Sequence, residues 1–282
     1  MTELQRALSL LGFMREDEAE HHLHELAGPG AYTADEARAL WTASHQALRH
    51  VHTSPGIPEL TDLPPEAWDH LLQIHQHESF ALLVADLTWS VRLVEIDPLL
   101  SVAIDVFVAR VEEWTRRLSG GDPCTLLDAF LPRKAAPFLI MTGPSLAFAV
   151  HTDLGASWAH DVRKGPLPSI LKPPLPVRVV EIAGSYYLMD GYHRAVALRR
   201  LGHTHIPALV LHDCNWSFLR HTPRRRMFQP APFASPNPPC VGHFLTPAAV
   251  ETRAAPCVRV MTIRVESFIA PIADIWTGNT TP

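Results

Sequence analysis

The sequence predicts an α/β (α+β) protein: a helical N-terminal unit, a mixed core and a proline-rich C-terminal extension. Three observations predict it. Leucines recur at helical spacing near the start of the chain, short Val/Leu/Ile-rich runs bounded by turn residues follow, and prolines accumulate beyond Asp213. The 282-residue chain is 47% hydrophobic, enough for a packed core, and 19% charged, too little for general disorder. The length allows one large domain or two ordinary ones.

Leu4, Leu8, Leu11, Leu23 and Leu26 predict a helix over 2–27, stopped by Gly28-Pro29-Gly30. Thr33-Ala34-Asp35-Glu36 has the form of a capping box and opens a second helix to about His52, with Ala37, Leu40, Trp41 and Leu48 on one face. Pro65 suits the first position of a third helix, 66–85. Together these make a helical unit over 1–86. Alternation predicts a strand over 90–96, and 102–118 reads as an amphipathic helix ended by Gly120-Gly121. Residues 122–171 are irregular. Strands are expected over 177–182 and 186–189, around the turn Ala183-Gly184-Ser185. A helix over 194–201 closes with Gly202 as an αL cap, and a last core strand covers 206–211. The core therefore spans 87–213, with a long insertion around 120–171. The extension, 214–282, carries a long exposed loop or linker over 223–239, a returning strand within 258–269 and a fraying end over 277–282.

Composition excludes several classes. A net charge of -5, with 17 histidines counted neutral, argues against coating nucleic acid through bulk charge. A local basic cluster, Arg220, Arg224, Arg225 and Arg226, suits either phosphate or nucleic-acid contact or a solvated loop. Cys124, Cys214, Cys240 and Cys257 form no C-x-x-C pair, and reduced thiols in a cytoplasmic protein are expected. No secretory signal or uncharged membrane-length stretch is found, so no membrane partner is expected. His21, His22 and His24, and His70, His75 and His77, complete no ligand set and read as solvated. There is no G-x-x-x-x-G-K-[ST] or G-x-G-x-x-G string. The Ser145 and Ser157 regions lack a G-x-S-x-G elbow, so no hydrolase triad is expected.

One segment carries chemistry. Residues 173–198 read as strand, tight turn, strand, Asp190-Gly191, then a helix beginning near His193. A glycine at such a junction lets the backbone approach a ligand, and the open N–H groups and positive dipole end of the helix face it. That arrangement suits phosphate. His193 and Arg194 add donors there, and an arginine grips phosphate through two hydrogen bonds. The plainer reading is a turn followed by a helix start, with Arg194 a surface charge.

The matching pieces are Pro173-Pro174, the strand 177–182, Tyr186-Tyr187, Asp190-Gly191-Tyr192-His193-Arg194, and Ile206-Pro207 in the trailing strand. Over 172–211 the chain resembles the ParB/sulfiredoxin superfamily, more weakly over 91–118. Ala195, Ala197 and Gly202 match its ParB branch. Tyr192 stands where sulfiredoxins carry their nucleophilic cysteine, which argues against sulfinic-acid reduction. Tyr-His-Arg replaces the Glu-Arg-Arg-like triphosphate motif of partition proteins, which argues against a CTP-gated DNA clamp. The resemblance implies a nucleoside triphosphate or diphosphate, or another phosphorylated small molecule, held by Gly191, Tyr192, His193 and Arg194. It further implies Mg²⁺-dependent phosphate-bond hydrolysis or phosphoryl transfer, of NTPase, nuclease or small-molecule kinase type. Such chemistry needs a carboxylate for metal or general-base work. Asp190 is the nearest candidate, as metal ligand or base beside His193. Glu95 and Asp97, at the end of the family's first strand, come second. The alternatives are a nucleotide- or DNA-binding regulator without turnover, with Arg224, Arg225 and Arg226 on nucleic acid, and a scaffold with a degenerate site.

Overall fold

The computed structural model describes residues 4–51, 57–67, 87–119, 147–149, 176–216, 226–255 and 260–262. Two units emerge, one of Met1–Ala135 with Pro173–Pro256, the other of Ala136–Lys172 with Cys257–Pro282. Both helices and sheets are present, as an α/β protein requires.

The first unit begins with a strand, β1 (Gln5–Ser9), and a 3₁₀ turn, Leu11–Phe13, where the leucine spacing predicts helix. The reason lies in which residues point inward. Ala7 and Ser9 are fully buried, so the inward positions of the strand carry small side chains and leave the leucines to mimic a helical period. Helix α1 (Glu16–Ala27) follows, and the predicted capping box opens α2 (Ala34–Leu48). Thr33 Oγ1 accepts from the Glu36 N–H at 3.2 Å, and Glu36 accepts from the Thr33 N–H at 2.8 Å. The helix ends four residues short of its predicted end.

β2 (Leu60–Thr61) precedes a 3₁₀ turn at Pro65–Ala67; the rest of the predicted third helix lies outside the described residues. Then come β3 (Trp89–Glu95), β4 (Leu100–Ser101), β5 (Asp105–Phe107) and helix α3 (Val108–Leu118). The helix starts six residues later than 102, because the apolar run before it supplies β5, which pairs antiparallel with β1. Beyond residues 120–146 come β7 (Arg178–Ile182), β8 (Ser185–Asp190), α4 (Tyr192–Arg200) and β9 (His205–Leu211), close to prediction. Ala183 and Gly184 both have positive φ, 52° and 77°, the requirement of a two-residue hairpin turn. Gly202, at φ 91°, closes α4: its N–H bonds to Arg199 O at 3.0 Å and that of His203 to Leu198 O at 3.0 Å, a Schellman cap.

The main sheet has the order β2-β3-β9-β7-β8-β4, with parallel pairs only at β9/β7 and β8/β4. Its core gathers Val94, Ile96, Val179, Leu188, Ile206 and Leu209, with α4 packed on β9 and α3 packed on α4. A second, three-stranded sheet, with β1 between β5 and β10 (Val250–Ala254), joins the chain's beginning to its later part. There Ser9 Oγ donates to Asp105 Oδ1 at 2.6 Å, and His22 Nε2 lies 3.0 Å from the same carboxylate, tying α1 to the sheet.

The described part of the proline-rich region departs from the predicted exposed linker. Phe228 and Cys240 are buried, and the N–H groups of Ile104, Phe228 and Ser101 bond to Arg226 O, Val102 O and Pro239 O. Tyr187, Trp216, Phe233, Phe228 and Phe13 form a chain of ring contacts that holds it down. Cys214 and Cys240 are free thiols; Cys124 and Cys257 lie outside the described residues, as do His70, His75 and His77. In the second unit β6 (Ala147–Ala149) pairs antiparallel with β11 (Val260–Thr262), within the predicted returning strand.

Candidate phosphate site at the α4 N-terminus

The site starts from one irregularity. The β7/β8 pairing shifts register between Arg178 and Val179, so Met189 is the extra residue and Asp190 falls opposite Arg178. Such a bulge re-aims the side chain that follows it. Gly191 then turns the chain at φ 98° and its carbonyl accepts the first helical bond, from Ala195 N–H at 2.9 Å. A side chain at Gly191 would meet both obstacles at once: that φ strains any L-residue, and a Cβ would sit 2.9 Å from Val177 Cγ2. The glycine is therefore required by the turn and by the close approach of Val177.

The five residues of the motif do different work. Asp190 is nearly buried and lies between two arginines, 3.7 Å from Arg178 Nη2 and 3.6 Å from Arg194 Nη2. Arg194 is buried, one helical turn into α4, with its guanidinium 5.7 Å from the Trp114 ring centre. Burial lowers its pKa, with Asp190 opposing and Arg178 assisting; an arginine remains charged regardless. The Tyr192 hydroxyl donates to Leu188 O, and burial pushes its pKa well above the phenol value. His193 is turned away from any charge-neutralising role. Its Nε2 accepts the Phe107 N–H at 3.0 Å, at the start of α3, which places its proton on Nδ1. Burial, together with Arg110 and Arg194, pushes its pKa down to about 3, so it is neutral at physiological pH.

Two further arginines meet at the Phe107 ring, beside His193. The guanidinium of Arg110, on α3, lies 5.4 Å from the Phe107 ring centre and that of Arg226 lies 4.9 Å from it, and the same ring stacks on His193 at 6.0 Å. Arg178 and Arg194 thus flank Asp190 at the α4 N-terminus, Arg110 acts on His193, and Arg226 shares the Phe107 ring with Arg110. Sequence reasoning found Arg194 and singled out Arg226 only as part of a loop. It missed Arg178 and Arg110, although a lone arginine in the apolar strand Arg178–Ile182 was a usable signal. Arg220, Arg224 and Arg225 lie outside the described residues.

The other predicted carboxylates are not brought to this place. Asp190 is in line with Arg178, Leu209 and Val91 across the sheet, and Glu95 is four residues beyond Val91. That separates Glu95 from Asp190 by about 14 Å across the strands and about 13 Å along them. Glu95 instead accepts the Glu59 N–H at 3.2 Å. Asp97 is clamped by Arg199 at the other end of α4, at 2.7 and 2.8 Å, and packs against Gly242. Among the described residues no group of three His, Cys, Asp or Glu is placed to hold a metal ion.

No family model matches the chain, nor does any curated protein or solved structure. Among the described residues no helix is long and apolar enough to cross a membrane.

Proposed function

We propose that this chain is a ParB/sulfiredoxin-like protein that binds a nucleotide, or another phosphate ester, at the N-terminus of α4. One observation carries the reading. Arg178 and Arg194 both approach the Asp190 carboxylate at the N-terminal turn of α4, at 3.7 and 3.6 Å, longer than hydrogen bonds. Two guanidinium groups beside the positive end of a helix dipole suit an anion. Arg178 Nε, buried, finds no hydrogen-bond partner among the described residues, in keeping with a place for a phosphate oxygen.

The donors present fit phosphate and do not fit a resident Mg²⁺. Asp190 is engaged by two guanidinium groups, and Glu95 and Asp97 are remote. Of the two expectations, binding without turnover is the one the geometry favours. Asp190 acts as the counter-ion that keeps the arginines apart and oriented until phosphate arrives.

Thermal melting against ATP, ADP, CTP and GTP tests this. A ligand at about a hundred times its Kd adds about 2.7 kcal/mol to the folded state, a rise of several degrees. At least one of the four raises the wild-type Tm in this way, and Arg178→Ala, a half-buried position, removes the rise. A wild type indifferent to all four, and to inorganic phosphate, overturns the proposal.

A further inference from the structure

Away from the arginine site, three residues scattered through the sequence meet at the opposite end of β7. Ser90, on β3, donates from Oγ to His212 Nε2 at 2.9 Å, and His212 Nδ1 donates to Glu181 Oε2 at 2.7 Å. We propose that Ser90, His212 and Glu181 form a Ser-His-Glu triad, a nucleophilic acyl-transfer site for small, uncharged carboxylic esters.

Register explains why they meet. Ser90 pairs with Val210, so His212, two residues on, lies diagonally across from it on the same face. Val180 pairs with Leu211 on the other side of β9, which brings Glu181 beside His212. The backbone holds His212 from both sides: its N–H bonds to Thr88 O at 2.8 Å, and the Cys214 N–H bonds to Glu181 O at 3.2 Å. Both ring nitrogens are thereby assigned. Nδ1 carries the proton toward the carboxylate and Nε2 is the base facing the hydroxyl, the order of roles a serine nucleophile needs. Burial, and then the neighbouring Glu181 carboxylate, push the Tyr186 phenol pKa up. His212 and Glu181 side chains are 25% and 29% exposed, so the chain of bonds is ordered yet open to a ligand. Asp213, next to His212, has φ 54°, a left-handed residue beside the site. The neighbouring Cys214 is not a rival nucleophile, because burial pushes its pKa up and keeps it a thiol. Glu181 and Asp213 make the surroundings negative, which disfavours anionic esters.

In the reaction, Ser90 Oγ bonds to the ester carbonyl carbon while His212 Nε2 takes the hydroxyl proton. The carbonyl–alkoxy bond then breaks and His212 returns that proton to the leaving alcohol. Water, deprotonated by His212, attacks the acyl-serine; the acid departs and Ser90 regains its proton. Glu181 is a positioning residue, which holds the imidazole tautomer and stabilises the imidazolium.

The full-length chain is treated with a fluorophosphonate probe, mapped by mass spectrometry, and assayed with 4-nitrophenyl acetate. The probe modifies Ser90 in the folded wild type. Hydrolysis falls by on the order of a hundredfold or more in Ser90→Ala and in His212→Gln. Glu181→Gln lowers it less and moves the pH profile, which a merely structural glutamate would not do. A folded wild type that carries no adduct on Ser90, or a Ser90→Ala variant that hydrolyses the ester at the wild-type rate, overturns the assignment. Neither result bears on nucleotide binding, because Ser90 lies outside the arginine cluster.

Discussion

Helix α4 carries an aspartate–arginine contact at each end, and the two are built differently. At its C-terminal end Asp97 and Arg199 meet through two hydrogen bonds of 2.7 and 2.8 Å, on a partly exposed surface. Arg199 has its pKa raised by that bond, and the pair helps offset the negative end of the helix dipole. At the N-terminal end Asp190 stands 3.6 and 3.7 Å from two arginines in a nearly buried place. The first contact is complete in itself. The second concentrates positive charge where the helix is already positive and leaves the geometry loose. A clamp and the proposed anion receptor thus use the same two residue types, and the difference lies in stoichiometry, burial and distance.

The comparison is broken most forcefully at Arg194. Arg194→Ala leaves Asp190 nearly buried with half its compensation, and a loss of about 3–5 kcal/mol in denaturant unfolding is expected. Gly191→Ala comes next, at about 1–3 kcal/mol from backbone strain, with the Val177 contact added. Trimming the neighbour in Gly191→Ala/Val177→Ala recovers the contact part and not the strain. Asp97→Asn is the mildest, about 1 kcal/mol or less, since the pair is partly exposed. It leaves any nucleotide-induced rise in Tm unchanged, whereas a catalytic Asp97 would not.

Acid gives a further test of the N-terminal end. His193 and His243 are buried neutral, with pKa values pushed down from 6.5 to about 3 and about 4. Between those values and 6.5 the unfolded chain binds more protons, so their contribution is complete above pH 6.5 and is lost as pH falls through that window. Unfolding free energy measured from pH 7 to pH 4 therefore declines, and His193→Gln flattens the decline. A slope that His193→Gln leaves unaltered contradicts the neutral, hydrogen-bond-accepting role.

Much of this was legible in the sequence where the rules are local. The hairpin turn at Ala183-Gly184, the Gly202 cap, the Thr33 capping box and the strand before Asp190 are each set by a few adjacent residues. β1 was not legible, because Ala7 and Ser9 carry its buried face while Leu4 and Leu8 imitate a helix. The start of α3 was displaced for a related reason, an apolar run that forms a strand against a partner far away in sequence. At the candidate site, Asp190, Gly191 and Arg194 stand in one string and were found. Arg178 meets Asp190 only through the bulge in β8, and Arg226 meets the Phe107 ring beside Arg110 only through the return of the chain at Phe228. The separation of Asp190 from Glu95 likewise depends on strand order, with β7 and β9 placed between them.

The most direct test of the phosphate reading is the calorimetric titration of ATP into the wild type and Asp190→Asn, each with Mg²⁺ and with EDTA. If the arginines hold phosphate and Asp190 is their counter-ion, the variant binds at least as tightly as the wild type, and EDTA abolishes binding in neither. Binding that disappears in a folded Asp190→Asn, and in the wild type with EDTA, would make Asp190 a metal ligand and contradict the account.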